Sequence, residues 1–153
     1  MDVAVLGLPD SSPPTGVSTR VLARERLVAV VSTGHPLAGR RRLRLDDLAD
    51  DVFADFPEGA PGRMQSDLAF QAAGLRRDVA FEAMSTDLIL DLVRQGLVMA
   101  MLSPAVIPSG AADLRTIPVT AGPTRVEYLA WSSFNPSPAA QAFLDTLQPP
   151  TDT

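Results

Sequence analysis

The chain has 153 residues, no cysteine and a single histidine, with 46% hydrophobic and 20% charged side chains. That length carries one domain or two small lobes, and the composition is that of a folded chain without disulfides, thiolate zinc sites or cysteine nucleophiles. A formal charge of −5 argues against nucleic-acid binding by this polypeptide, because only Arg40-Arg41-Arg42 with Arg44 forms a basic patch.

Asp2-Val3-Ala4-Val5-Leu6-Gly7 is a short apolar run that predicts a buried strand at the very start of the chain. Leu8-Pro9-Asp10-Ser11-Ser12-Pro13-Pro14-Thr15-Gly16 is rich in breakers and predicts a loop. Thr19 to Val31 predicts one long extended segment, ending in Leu27-Val28-Ala29-Val30-Val31 and broken by Ser32-Thr33-Gly34-His35-Pro36. Leu43 to Leu48 predicts a short strand running into one helical turn capped by Asp46. Val52 to Phe56 predicts a strand that empties into the turn-forming stretch Pro57-Glu58-Gly59-Ala60-Pro61-Gly62.

A helix follows, its inner face expected along Met64, Leu68 and Ala72, with Gly74 just past its end. Val79 and Phe81 alternate with polar neighbours, as in a half-buried strand. Ser85 is placed to cap a second helix, in which Leu88, Ile89, Leu92 and Val93 form an apolar stripe and Gly96 the stop. Leu97–Leu102, Leu114–Val119 and Val126–Trp131 are further strand candidates. Ser137-Pro138 opens a last helix with Phe143 and Leu147 inward, and the Pro-rich tail after Gln148 is expected to fray.

Strands alternating with helices define an α/β class with a parallel or mixed sheet. Two long extended segments, Thr19–Val31 and Arg125–Trp131, flank a block with strands and helices of its own, as a hinged two-lobed receptor requires. The expected division is an outer lobe of 1–31 plus 122–148, an inserted lobe of 32–121 and a tail of 149–153. No apolar run is long enough to cross a bilayer and Met1-Asp2-Val3 does not open a signal peptide, so a cytoplasmic location without membrane association is expected.

Several segments resemble the effector domain of LysR-type transcription regulators. Asp2-Val3-Ala4-Val5 is similar to that family's "lDlai" strand, and Leu22 to Leu37 to its first hinge strand with a His-Pro-Leu turn. Val52 to Arg63 with Ala69-Phe70-Gln71-Ala72-Ala73-Gly74 resembles its strand-to-helix unit. Leu92 to Pro104 resembles its "lVaaGlGvallP" signature, departing at Val98, where the family more often has glycine. Ser137 to Leu144 resembles its closing helix. The resemblance runs from residue 2 to about residue 147 and rests on order and spacing, since no one motif is diagnostic. It implies a periplasmic-binding-protein-like (type 2) fold of two lobes with a small-molecule effector in the cleft between them. It also implies that the outer lobe is incomplete here, lacking its first elements. In full-length relatives a winged helix-turn-helix, absent from this chain, binds DNA, and effector-domain contacts form homo-oligomers.

Phe56, Pro57, Glu58 and Gly59 match the loop that lines the effector cleft in the family. By their chemistry alone they form a Gly/Pro-rich turn at a helix N-terminus, where free N–H groups gather. Glu58 there disfavours an anion and suits a cationic or hydroxylated ligand. Arg63 is a candidate for a bidentate grip on a carboxylate, Met84 and Ser85 for a second helix start facing the cleft, and Met101 and Ser103 for a strand end pointing at it. Each has a structural alternative: an ordinary connection, a solvated arginine, a plain cap, a strand stop.

His35 in a Gly-His-Pro turn and the Arg40–Arg44 patch beside Asp46 and Asp47 read as structural and solvated. No nucleophile elbow, dinucleotide fingerprint or phosphate loop is present, so no cofactor, metal or catalytic residue is expected. The leading expectation is therefore an effector-sensing domain of a LysR-type regulator. The alternatives are a solute-binding receptor of the same fold or a small two-lobed enzyme.

Overall fold

In a computed structural model, which describes residues 2–147, the most apolar run of the chain forms the centre of a sheet buried on both faces. This strand, β3 (Val28–Ser32), places Ala29, Val30 and Val31 at 0% exposure. Successive side chains point to opposite faces, so a run that is apolar at every position needs cover on both sides. Ala29 and Val31 join one core cluster with Phe53, Phe70, Met101 and Ile117, while Val30 joins another with Ile89, Val93, Val98 and Leu102.

The partners of β3 are β8 (Leu114–Thr120) and β7 (Ala100–Leu102), both antiparallel, with β4 (Leu43–Arg44) parallel to β8 at the edge. A further parallel pair, β5 (Val52–Asp55) and β6 (Asp78–Glu82), is stitched to the β7 side through Met99. The Met99 N–H donates to the Val52 carbonyl at 2.8 Å, and the Ala54 N–H donates to the Met99 carbonyl at 2.9 Å. Helices α1 (Leu45–Leu48) and α2 (Pro61–Ala72) supply the first core cluster, and α3 (Thr86–Arg94) the second.

A second, three-stranded antiparallel sheet has the order β1 (Val3–Leu8), β9 (Thr124–Trp131), β2 (Ser18–Arg26). The last helix, α4 (Pro138–Thr146), starts as expected, with the Ala140 N–H donating to Ser137 Oγ at 3.2 Å and Pro138 in the first turn. Ser85 likewise caps α3, and the class is α/β with mixed sheets. The Pro-rich tail after Gln148 lies outside the described residues.

The structure corrects several expectations. Thr19–Val31 is not one strand: β2 and β3 belong to different sheets, and the chain changes sheet at Leu27. Val28–Val31 thus pairs with the block expected to begin at residue 32. The inner face of α2 is Gln65, Ser66 and Phe70, while Met64 and Leu68 are each 38% exposed. In α4 only Ala140 is buried and Phe143 is exposed, and in α3 Leu88 faces outward while Leu90 is buried. The carboxylate that serves the α1 cap is Asp47, which accepts the Arg44 N–H at 2.8 Å, rather than Asp46.

Candidate functional site

The chain passes between the two sheets at two neighbouring points, Leu27 and the Ala121–Pro123 turn. The Leu27 N–H donates to the Pro123 carbonyl at 3.0 Å, tying the crossings together. Ala121 holds a φ of 53°, left-handed for a residue with a Cβ, so this turn stores some strain. Beside the crossings lies a cavity of about 40 Å³, lined mainly by the unit around β3 and reached from the three-stranded sheet by Arg125. Leu27 and Arg125 face it from the crossing and from β9. Met101, Leu102 and Ser103 face it from the end of β7, and Phe56, Gly62 and Gln65 from the β5–α2 unit. Thr86 at the start of α3 and Val106 in a 3-10 turn, Pro104–Val106, complete the lining.

Its polar groups are unevenly satisfied. Ser103 Oγ donates to the Glu25 carboxylate of β2, a hydrogen bond between the two sheets, and accepts the Ala105 N–H at 3.2 Å. Glu25 stands directly across from Arg125 in the β2–β9 register. One Arg125 nitrogen, Nη2, lies 3.3 Å from Glu127, whereas its buried Nε has no partner among the described residues. A Cβ on Gly7 would stand 2.5 Å from that Nε, so glycine in β1 makes room for the guanidinium. Gln65 is 3% exposed, and among the described residues neither its amide nitrogen nor its amide oxygen has a hydrogen-bond partner. Buried amides are ordinarily paired, because an orphaned one costs about 1–3 kcal/mol. The Phe56 ring packs on Gly62, where a Cβ would come within 2.7 Å of it.

Of the residues expected to bind, the cavity brings together Phe56, Met101 and Ser103. Pro57, Glu58 and Gly59 form the turn before α2 outside the lining, with the Ala60 N–H donating to the Pro57 carbonyl at 3.0 Å. Gly59 has a φ of 81°, which explains glycine there. Met84 is 78% exposed, and Ser85 Oγ accepts the Leu88 N–H at 3.4 Å as an ordinary cap. Arg63 is committed within its own unit: Nη1 lies 2.6 Å from Glu82 and donates to the Phe56 carbonyl at 3.2 Å, and Nε lies 3.2 Å from Asp67. Burial works to lower its pKa, but the Glu82 and Asp67 carboxylates outweigh that and raise it.

Beneath this unit Asp55, 1% exposed, pairs with Arg77 at 2.5 Å, and Arg77 also reaches Asp67 at 2.8 Å. The guanidinium lies against the Phe53 and Phe70 rings at 5.1 and 5.5 Å from their centroids. Burial pushes the Asp55 carboxyl above the usual carboxylate range, against the lowering pull of Arg77. Asp55 Oδ1 accepts the Phe56 N–H at 2.7 Å, so the ion pair anchors the backbone that presents Phe56 to the cavity. The wider hollow outside this cluster, between Asp67, Arg76 and Asp78, is open to solvent and draws on one sheet only. His35 is structural: its Nδ1 accepts the Leu37 N–H at 3.0 Å and its Nε2 lies 3.1 Å from Asp51. Arg40 and Arg44 pair with Asp47 and Asp46.

Gln65, Arg125, Glu25 and Gly7 carry no site signal of their own in the sequence. A polar residue on the buried side of an amphipathic helix is a signal only once the helix face is known, and Gln65 lies off the apolar stripe of Met64, Leu68 and Ala72. Gly7 and Arg125 become meaningful only through the β1–β9 register.

Two sheets joined by paired crossings, with a cavity at the joint, define a ligand-cleft domain of two-lobed type. The chain belongs to the LysR substrate binding domain family, whose pattern it matches over residues 1–149. It is 36% identical over 92 residues to the HTH-type transcriptional regulator CysB of Burkholderia cenocepacia, covering 60% of this chain and 29% of that protein. It is 32% identical over 102 residues to the transcriptional dual regulator GltC of Bacillus subtilis, covering 67% of this chain and 34% of that one. The chain thus spans about a third of the length of these relatives, which are named as regulators rather than enzymes. In fold it is similar to the regulatory domain of Synechocystis CcmR in complex with 2-PG, with a TM-score of 0.81 at 23% identity over 95% of this chain and 71% of that one. It is also similar to the effector binding domain of QuiR in complex with shikimate, with a TM-score of 0.77 at 23% identity over 94% and 68% of the two chains. The type 2 periplasmic-binding-protein-like fold expected from the sequence is the one these neighbours share.

Proposed function

We propose that this domain senses a small-molecule effector bound between its two sheets, and that it does so within a LysR-type transcription regulator acting in the cytoplasm. The observation that carries the reading is the cavity at the crossings, lined mainly by the unit of residues 28–120 and closed from the three-stranded sheet by Arg125, with Gln65 and Arg125 each carrying a buried polar atom that lacks a partner among the described residues. A ligand that touches both walls stabilises one relative placement of the sheets over others, and that differential affinity is all that sensing requires. The hinge is Leu27 with Gly122, where the two lobes, residues 2–26 with 124–147 and residues 28–120, meet. The binding set is Phe56, Met101 and Ser103 together with Gln65 and Arg125. DNA contact belongs to a winged helix-turn-helix in the full-length regulator, and homo-oligomers form through effector-domain surfaces.

The test is a thermal-shift screen of small metabolites on this chain and on Phe56→Trp, which fills the cavity. Ligands of the cleft raise the melting temperature of the wild type and lose their effect on Phe56→Trp. Ligands that shift both proteins equally would place binding elsewhere.

A further inference from the structure

The two unpartnered groups in the cavity differ in chemistry and come from opposite walls. Gln65 sits in α2, buried, with a free donor and a free acceptor on one amide. Arg125 sits in β9 of the other sheet, its guanidinium packed against Gly7 and its buried Nε without an acceptor among the described residues. The remaining walls are mostly apolar, with Leu27, Phe56, Met101, Leu102 and Val106 beside the hydroxyls of Thr86 and Ser103. Charges that face Arg125 are Glu127, at 3.3 Å from Nη2, and Glu25, itself held by Ser103, so the cation is matched on one side and open at Nε.

We infer that Gln65 and Arg125 form a two-point receptor for a compact hydroxylated organic acid, its carboxylate on Arg125 and its neighbouring hydroxyl on the Gln65 amide. This rests on the effector-cleft reading above and narrows it to a ligand class and two specificity-determining residues. A guanidinium N–H is a strong partner for a carboxylate, and the fork geometry disfavours a neutral amide in its place. A buried amide that expects a hydroxyl rejects an analogue without one, because the amide is then left unpaired, and such sites discriminate strongly. The ligand must also be small, or must spread the sheets at Leu27 and Gly122, since about 40 Å³ between the walls holds only a few water-sized groups.

The test is titration calorimetry of this chain with glycolate, lactate, glycerate and malate, each beside its neutral primary amide and its deoxy counterpart. It is repeated on Arg125→Gln and on Gln65→Met, a substitution close in volume. Hydrogen exchange read at Phe56–Gln65 and Ser103–Val106 locates any binding. For the tightest acid, the wild type is expected to prefer acid over amide and hydroxy over deoxy by at least about ten-fold each. Arg125→Gln is expected to level the first preference alone, and Gln65→Met the second alone. Gln65→Met should melt no lower than the wild type, because it removes an unpaired buried amide. A residue with a merely structural role would lower the melting point and leave the hydroxy-to-deoxy ratio unchanged.

If a neutral or cationic metabolite protects the cleft while the acids do not bind, or if both ratios survive the substitutions, the two-point receptor is wrong and the cleft reading stands. If no compound of the panel or of a general metabolite set protects the cleft, both are wrong.

Discussion

Replacing Arg77 by methionine removes the one cation paired with Asp55 while keeping most of the side-chain volume. The Arg77 side chain is 4% exposed and Asp55 1%, so the orphaned carboxylate has no water to turn to. Breaking a buried pair from one side costs about 3–5 kcal/mol, which in a domain of this size lowers the melting temperature by roughly 6–20 °C. Methionine retains apolar contact with the Phe53 and Phe70 rings, so lost packing adds little.

The loss depends on pH. In the wild type the folded-state pKa of Asp55 already lies above its unfolded value near 3.8, so folding takes up a proton. Its contribution is therefore full below about 3.8 and is lost as pH rises through the folded-state pKa. Without Arg77 that pKa rises further, and the deficit is largest at neutral pH and shrinks toward pH 4. Urea titrations of wild type, Arg77→Met and the double variant Asp55→Asn/Arg77→Met, at pH 4.5 and 7, measure this. The double variant is expected to recover part of the loss at pH 7. A single variant as stable as wild type at pH 7, or a deficit that ignores pH, would mean that Arg77 does not hold a buried Asp55 carboxylate.

Phe70→Ala removes a fully packed ring set edge-on to Phe53 at 5.7 Å and is expected to cost about 3–5 kcal/mol by urea denaturation. Met64→Gln and Leu68→Gln, on the outer side of the same helix, should each cost less than about 0.5 kcal/mol. Ser137→Ala removes the α4 cap and should cost about 1 kcal/mol, read as a shift in the denaturation midpoint without a change in slope. Gly7→Ala must displace the Arg125 guanidinium, a flexible group, so the melting temperature should fall only slightly while calorimetric affinity for the tightest acid falls at least about ten-fold.

The elements of this fold were largely legible in the sequence because their signals are local. Ser85, Gly96 and Ser137-Pro138 fix helix ends by backbone chemistry that needs no tertiary partner, and the apolar run at Val28–Val31 announces a strand covered on both faces. Face inferences fared unevenly: in α3 Ile89 and Val93 are buried as expected, whereas in α2 and α4 the inner face differs from the expected one. The stripe Met64–Leu68–Ala72 is the more apolar face of α2, yet the sheet takes Gln65, Ser66 and Phe70. There the aromatic pair with Phe53 and the stacking of Arg77 outweigh the count of apolar letters. The switch of sheet at Leu27 is likewise invisible, since extended backbone continues on both sides of it. The site was half legible for the same reason. Phe56, Met101 and Ser103 lie at strand ends, where chain position predicts exposure to a crevice, whereas Gln65 and Arg125 are brought together only by the packing of α2 against β1.

One ligand is expected to engage both sheets at their joint. Hydrogen–deuterium exchange on this chain, with and without the tightest-binding compound of the screen, tests it most directly. Protection is expected in three separated segments at once: Phe56–Gln65, Ser103–Val106 and the β9 segment around Arg125. Protection confined to one sheet, or to the outer hollow at Arg76 and Asp78, would contradict it.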